Sequence, residues 1–562
     1  MAAAGYVVIE MREVLRLASG VAQAGEGPKT LNAAQAQALA TLQAQAGFRC
    51  LLLHGVTGSG KTEVYLQAIA PCLARGDSAL VLVPEIGLTP QLTDRFQARF
   101  GDRVRVYHSG LSAGERYDTW RQMLTGEPQV VIGTRSAVFA PLPRLGLIVL
   151  DEEHDASFKE AQRMPSYQAR TVAQWRAQLA DCPLLLGSAT PALETWQAAH
   201  QEPGWHYLSL PQRVGDRPLP PVEVVDMRRE LHQGNRSLFS QTLHQALAAL
   251  PARGEQAILF VPRRGHSTFV SCRSCGAVLE CPHCDVALTY HYTHSQLLRC
   301  HYCNHRQPQP HHCPHCDSPY LKHFGSGTQR VTQELSQHLP ALRWLRFDSD
   351  TTQTKGAHRQ LLDRFGRGEA EVLVGTQMLT KGLDLPRVTL VAILAADGLL
   401  HRADYRASER AYQTLTQVAG RAGRGDQPGR VILQTYSPEH PVVQAVSQRD
   451  YARFAQETLA QRQQSGYPPF CRLILLRFSG LEALSVEMAA QDVAIACRPL
   501  LPPGTQVLGP APASILRIAR RYHWQVLLKL PLEAPIPSLG SLRSLCPAAV
   551  RFSLDIDPLS VE

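Results

Sequence analysis

Lysine is the scarce charge in this chain: only seven of its fifty-seven basic side chains are lysine, and fifty are arginine. Arginine's planar fork suits phosphate contacts, but so lopsided a ratio fits a GC-rich coding sequence better, and it excludes little by itself. Long apolar runs are missing too. The best candidate, residues 388–400, is short and contains Asp397, which excludes a helix that spans a bilayer. The first residues carry Glu10 and Glu13 where a secretory signal would place a basic head before an apolar core. No solenoid-length repeat and no low-complexity tract is present. These absences leave a cytoplasmic protein as the expectation, in a compartment where thiols stay reduced.

What is present is a folded composition, 44% apolar and 19% charged over 562 residues, enough for about three or four domains. The net charge of +9 modestly favours a polyanionic partner, although many soluble proteins are as basic. Eight of the fourteen cysteines fall between Cys272 and Cys316 as four CxxC pairs: Cys272/Cys275, Cys281/Cys284, Cys300/Cys303 and Cys313/Cys316. Each pair puts two thiolates on one tight turn, and a structural zinc takes four such ligands, so two closed sites are expected. Spacing leaves all three ways of pairing the units open. Ten histidines between His266 and His323 are surplus to two filled tetrahedral sites and read as surface or supporting groups.

From Cys50 onward, short apolar runs alternate with longer amphipathic stretches: CLLLH (50–54), ALVLV (79–83), VVI (130–132), LIVL (147–150) and LLLG (184–187). After a Pro-rich break at Pro211–Pro221 the rhythm resumes with AILFV (257–261), VLV (372–374), VTLVAIL (388–394) and VIL (431–433). Such alternation is the mark of βαβ units around parallel sheets. The expected organisation is α/β: a leader or linker over 1–30, a first parallel-sheet lobe over 31–210, and a second over 211–265 and 318–437. The cysteine-rich insertion (266–317) interrupts the second lobe, and a small α+β domain covers 438–562, with strands at 471–478, near Val526 and near Phe552.

Three motifs carry chemistry. Gly55-Val-Thr57-Gly58-Ser59-Gly60-Lys61-Thr62 fits G-x4-G-K-[ST] and follows a predicted strand, so backbone N–H groups and a helix N-terminus would wrap phosphates there. Lys61 would reach the β and γ phosphates, and the Thr62 hydroxyl would hold magnesium. Asp151-Glu152-Glu153-His154 ends the run LIVL, where Asp151 would bind the metal and Glu152 would activate water. His154 reads equally as a coupling group or as a packed imidazole. In the second lobe, Gln417-Val-Ala-Gly-Arg421-Ala-Gly-Arg424 reads as two arginines on one helical face, suited to charge developing on a γ-phosphate.

Together with GSATP (187–191), GT…KGLDLP (375–386) and QVAGRAGRG (417–425), these motifs resemble superfamily 2 helicases with two RecA-like lobes. The eight-cysteine insertion narrows the resemblance to the PriA (primosomal protein N′) family of replication-restart helicases. VLVPEIGLTPQL (81–92), IGTRSAVFAP (132–141), GTQRV (327–331), GPAPA (509–513) and RYHWQ (521–525) match as well. The resemblance runs from about Leu31 to the C-terminus. It implies that Gln35 senses adenine, that Ser188-Ala-Thr190 links hydrolysis to lobe movement, and that Gly375-Thr376 touches the DNA backbone. The segment Phe158–Tyr167 resembles the family's aromatic-rich loop, whose rings read equally as base-stacking or as packing groups.

By the same resemblance, Cys272, Cys275, Cys313 and Cys316 share one zinc, and Cys281, Cys284, Cys300 and Cys303 the other. A zinc knuckle has too small a core to fold without metal. Its role reads as contact, with Arg273, Arg299 and Arg306 meeting phosphates or with partner proteins, against the plainer reading of a structural staple. Arg517, Arg520 and Arg521, followed by Tyr522 and Trp524, read as a second DNA face or as a solvated edge strand. Two departures stand out: residues 1–30 are too short for the family's two N-terminal DNA-binding parts, and Thr171 stands where the family's YxARD stretch has aspartate. The resemblance implies an ATP- and magnesium-dependent 3′-to-5′ helicase with two zinc ions, acting on forked or single-stranded DNA in the bacterial cytoplasm at the nucleoid. Primosome and single-strand-binding proteins are its implied partners. The rival readings are a DNA-bound loading scaffold with a secondary ATPase, and a helicase acting on RNA.

Overall fold

The computed structural model describes residues 25–84, 90–161, 165–262, 269–272, 279, 281–282, 288–291, 297–299, 305–319, 321–324, 327–348, 351–352, 357–380, 385–400 and 404–561. These form two compact units, each described by itself. The first comprises residues up to 160 with 167–191 and 198–214; the second comprises 161–166, 192–197 and everything from Gly215 on.

The first unit is built on a seven-stranded, all-parallel sheet. Its spatial order is Val104–Tyr107, Val130–Gly133, Ser78–Leu82, Leu145–Asp151, Leu184–Ser188, Cys50–Gly55 and Trp205–Leu210. The five apolar runs read from the sequence are its five inner strands, buried on both faces as parallel strands must be. The two edge strands had no such run. VRVY alternates arginine with valine, and WHYLSL buries only two of its six residues fully, because an edge has less to cover it.

The second unit holds a six-stranded parallel sheet in the order Val222–Asp226, Arg430–Thr435, Val388–Ile393, Gln256–Phe260, Val372–Gly375 and Trp344–Phe347. The chain is therefore α/β with two parallel-sheet, RecA-like lobes. Between Phe260 and Thr328 the second lobe is interrupted by a five-stranded antiparallel sheet that carries the cysteine-rich segment. The C-terminal region forms a four-stranded antiparallel sheet, Gln506–Ile518, Arg521–Leu530, Arg472–Gly480 and Arg551–Ile556 in spatial order, covered on one face by the helix Ala483–Cys497. Among the described residues no helix is long and apolar enough to cross a membrane.

Two expectations need correction. Arg421 and Arg424 do not share a helical face, because the helix Ala407–Ala419 ends at its cap Gly420 and both arginines lie in the turn beyond. Gly423 in that turn has φ +65°, and a Cβ there would stand 2.5 Å from the Gly429 nitrogen, so the backbone cannot continue as helix. The segment of Tyr522 and Trp524 is not an edge strand either: Arg521–Leu530 is an inner strand of the C-terminal sheet, and both rings are half-buried against its core. Of that cluster, Arg520 (φ +64°) sits at the exposed tip of the hairpin, and Arg517 lies over the Tyr522 ring.

Candidate active site

The strand Cys50–Gly55 runs directly into the loop Val56–Gly60, and the helix Lys61–Ala74 begins at Lys61, the strand–loop–helix order that phosphate binding requires. Gly58 and Gly60 have φ of +88° and +80°, backbone conformations open to glycine at low cost. A Cβ on Gly60 would lie 2.3 Å from the Gln35 amide nitrogen, and one on Gly55 2.5 Å from the Ser59 hydroxyl. The Ser59 hydroxyl is buried and has no hydrogen-bond partner among the described residues. Lys61 Nζ donates to the Gly55 carbonyl at 2.9 Å, which folds the ammonium into the cradle. The buried Gln35 side chain accepts from the Asn32 N–H at 2.9 Å and donates to the Ser59 carbonyl at 2.8 Å. Arg213 donates to the Thr57 carbonyl at 3.1 Å, and the Val214 N–H to the Gly58 carbonyl at 3.0 Å, closing the loop from the other side.

Asp151 ends the strand Leu145–Asp151, separated from the loop's strand by Leu184–Ser188. Tyr65, fully enclosed on the helix that follows the loop, donates to Asp151 Oδ1 at 2.8 Å and so ties the acidic motif to the phosphate loop. Only glycine fits at 187, since a Cβ there would stand 1.7 Å from the Tyr65 hydroxyl. Burial, then the Glu152 carboxylate, push the Asp151 carboxyl above the usual carboxylate range, while Lys61 draws it back. An acid held this way is short of positive charge, which a divalent cation supplies. Glu152 adopts φ +50° in the turn after the strand. His154 faces Ser188 with Nδ1 2.7 Å from the hydroxyl, and that hydroxyl accepts the Thr190 N–H at 2.9 Å. His154 is therefore tied to the SAT triplet. Glu153 is buried and paired with Arg170 at 2.8 Å.

His54, just before the loop, sits 2.9 Å from the Tyr207 hydroxyl through Nδ1. Burial, with the nearby Lys61, lowers its pKa from 6.5 to about 4. The unfolded chain therefore binds a proton between those values that the folded chain refuses, so stability rises with pH across that window. Stability that is full above pH 6.5 is expected to fall as the pH drops toward 4, by up to about 3 kcal/mol from this ring and less as solvent screens it. The check is the urea midpoint at pH 7 and pH 4.5 for the parent and His54→Asn, the variant losing less.

Phe158 is fully buried and so packs rather than stacks on bases. Arg135 holds the start of that loop through the carbonyls of Ser157 and Lys159 and the Glu160 carboxylate, and Tyr167 packs edge-on to Phe139. In the second lobe, Arg421 is buried, Arg424 Nε donates to the Gly420 carbonyl at 3.3 Å, and Arg217 holds the turn through the Arg424 carbonyl and Asp426. Gly375 ends the strand Val372–Gly375 and Thr376 follows it; a Cβ on Gly375 would meet the Phe347 carbonyl at 2.5 Å. Tyr65 and Arg213 escaped sequence reading. Tyr65 falls four positions after Lys61, one helical turn on, which is the only signal that could have placed it near the loop.

Of the eight cysteines in CxxC pairs, Cys275, Cys284, Cys300 and Cys303 lie outside the described residues, as does Arg273. The backbone of Cys272 lies in the strand Phe269–Cys272, and that of Arg299 in Leu297–Arg299. Cys281 and Cys313 are buried and Cys316 is exposed. The His315 N–H points at Cys313 Sγ at 3.4 Å, the contact that stabilises a metal-bound thiolate on a CxxC turn. Leu279, Cys281, Leu288 and Leu298 form a small apolar cluster against which Ile515 and Ile518 of the C-terminal sheet pack. The cysteine module and the C-terminal hairpin thus share a core.

Four family matches tile the chain: DEAD/DEAH box helicase over 32–199, helicase conserved C-terminal domain over 324–426, PriA DNA helicase Cys-rich region over 281–308, and primosomal protein N C-terminal domain over 463–559. The replication restart protein PriA of Synechocystis is 60% identical over all of this chain and 68% of its own length. That of Bacillus subtilis is 50% identical over 91% of this chain and 64% of its own, and that of Haemophilus influenzae 39% identical over 95% and 73%. The chain thus spans about two thirds of the length of these relatives. With its phosphate loop, its acidic strand end and its cysteine module in one sequence, the chain belongs to the PriA family of replication-restart helicases.

Proposed function

We propose that this chain is a DNA helicase that hydrolyses ATP, moves 3′ to 5′, opens forked DNA and starts primosome assembly during replication restart in the bacterial cytoplasm at the nucleoid. The observation that carries the reading is the phosphate loop tied through Tyr65 to Asp151 in a chain of this family. The backbone of Gly55, Thr57, Gly58, Ser59 and Gly60 wraps the phosphates, and the Ser59 hydroxyl gains the partner it lacks. Lys61 swings from the Gly55 carbonyl to the β and γ phosphates, while Thr62 and Asp151 hold the metal. Magnesium, when bound, neutralises phosphate charge. Glu152 orients and deprotonates the attacking water, Gln35 reads the adenine edge, and Arg421 and Arg424 neutralise charge that develops on the γ-phosphate. His154 and Ser188 pass the state of the acidic turn to Thr190.

The test is strand separation on forks with a single-stranded tail of one polarity. Opening is expected with a 3′ tail on the tracking strand and ATP, and equal opening of both polarities would remove the directional reading.

Two zinc ions are proposed, on Cys272, Cys275, Cys313 and Cys316 and on Cys281, Cys284, Cys300 and Cys303, with single-strand-binding and primosome proteins as partners of the whole protein. Metal analysis is expected to give two zinc per chain and one in Cys281→Ser/Cys284→Ser, with Cys313 and Cys316 protected from thiol reagents in that variant. A variant that keeps both ions, or loses both, would refute the inner–inner pairing.

A further inference from the structure

Four side chains from three segments far apart in sequence meet in one buried ring. Glu194 Oε1 takes Arg406 Nη2 at 2.7 Å and Arg462 Nη1 at 3.3 Å, and its Oε2 takes Arg406 Nη1 at 3.2 Å. Glu409 Oε2 takes Arg462 Nη2 at 2.6 Å and Arg406 Nη1 at 3.2 Å, while its Oε1 accepts the Leu193 N–H at 3.0 Å. Two positive and two negative charges balance, and all four carboxylate oxygens are engaged. The Arg462 and Glu409 side chains are 3% and 4% exposed. Both guanidiniums lie over the Tyr405 ring, at 5.1 and 5.2 Å, and that ring stacks on Tyr467.

The four come from three working parts. Glu194 opens the helix Leu193–Gln201, three residues after Thr190-Pro191, yet residues 192–197 belong to the second compact unit. Arg406 caps, and Glu409 begins, the helix Ala407–Ala419 that runs into Arg421 and Arg424. Arg462 comes from the helix Tyr451–Gln464 of the C-terminal region. A buried ion cluster stabilises little compared with an apolar one of equal volume, but it fixes geometry, because displaced charges lose partners that nothing else supplies. Apolar packing is already present beside it: Trp196 meets Tyr451 edge-on at 4.9 Å, and Tyr412 stacks on Phe454. The ring therefore adds direction rather than adhesion.

Resting on the motor reading above, we infer that the Glu194–Arg406–Glu409–Arg462 ring is a positioning device. It fixes the segment that follows the SAT triplet to the helix that presents Arg421 and Arg424, and anchors both to the C-terminal region. The four act by holding the arginine turn and residues 192–197 in one register.

The test uses the full chain with Glu194→Gln, which removes one charge at the best-solvated corner of the ring, and Glu194→Asp, which keeps it. ATP hydrolysis is followed without DNA and with single-stranded DNA, normalised to sites that bind a fluorescent ADP analogue. Glu194→Gln is expected to lower kcat about ten- to a hundredfold with KM for ATP within about twofold, and Glu194→Asp to recover part of the loss. A kcat per nucleotide-binding site equal to the parent's would overturn the inference, since a merely structural role reduces the number of competent sites and not their rate. A raised KM with kcat retained would overturn it too. The DNA-free rate judges the ring apart from the fork reading: a parent chain that hydrolyses ATP but opens no fork removes that reading alone.

Discussion

Lys61→Ala is expected to reduce ATP hydrolysis at least about 10²-fold while leaving zinc content and the unfolding midpoint in place. The argument is electrostatic. Lysine is scarce throughout the chain, and this one is folded into the loop by its bond to the Gly55 carbonyl. The ammonium is the positive charge that the loop itself contributes, so its loss removes the compensation for charge gathering between the β and γ phosphates. The fold does not depend on it, because among the described residues its ammonium bonds only a carbonyl at the rim, and the side chain is only half-buried. Hydrolysis by phosphate release, with and without fork DNA, is the measurement. Near-parental turnover would sink the motor reading, and a collapse of the unfolding midpoint would show that the residue is structural.

Arg462→Met is expected to destabilise the chain by about 3–5 kcal/mol, the cost of leaving buried carboxylates without their partner. Arg462 satisfies Glu409 and Glu194 and also donates to the Pro468 carbonyl at 3.2 Å, so one substitution strands acceptors in three segments. Arg453→Met on the same helix is the control. Its partner Glu457 is four residues on and both side chains are largely exposed, so the loss should stay within about 0.5 kcal/mol. Urea midpoints of the two variants decide the matter: equal shifts would mean that the ring carries no more than a surface pair.

The inner strands of both sheets were legible because a strand covered on both faces must be apolar throughout, and CLLLH, LIVL and VTLVAIL are little else. The edge strands Val104–Tyr107, Trp205–Leu210 and Trp344–Phe347 were not, since one open side admits arginine, histidine and serine. The phosphate loop was legible for a similar reason. Wrapping a phosphate with backbone leaves so few residue types that its spacing is almost a statement of its shape. The arginine turn was misread as a helical face, because its two arginines stand three apart, a spacing that suits a helix, while Gly420 and Gly423 end that helix between them.

The four CxxC pairs stand on the same footing as the loop. Local chemistry at short spacing, two thiolates to a turn, announces metal without any knowledge of the fold, and here it marks the family as well. What no spacing announces is which groups the fold brings together. Tyr65 reaches Asp151 from eighty-six positions away, and Arg462 reaches Glu194 from 268. By itself the sequence determined the glycine-rich loop, the paired cysteines and the alternation that builds two parallel sheets, because each depends on residues close along the chain. Only the tertiary structure decided how the acidic strand end is tied to the loop and how the arginine turn is held, because those depend on partners in unrelated segments whose charges match only after the chain has folded.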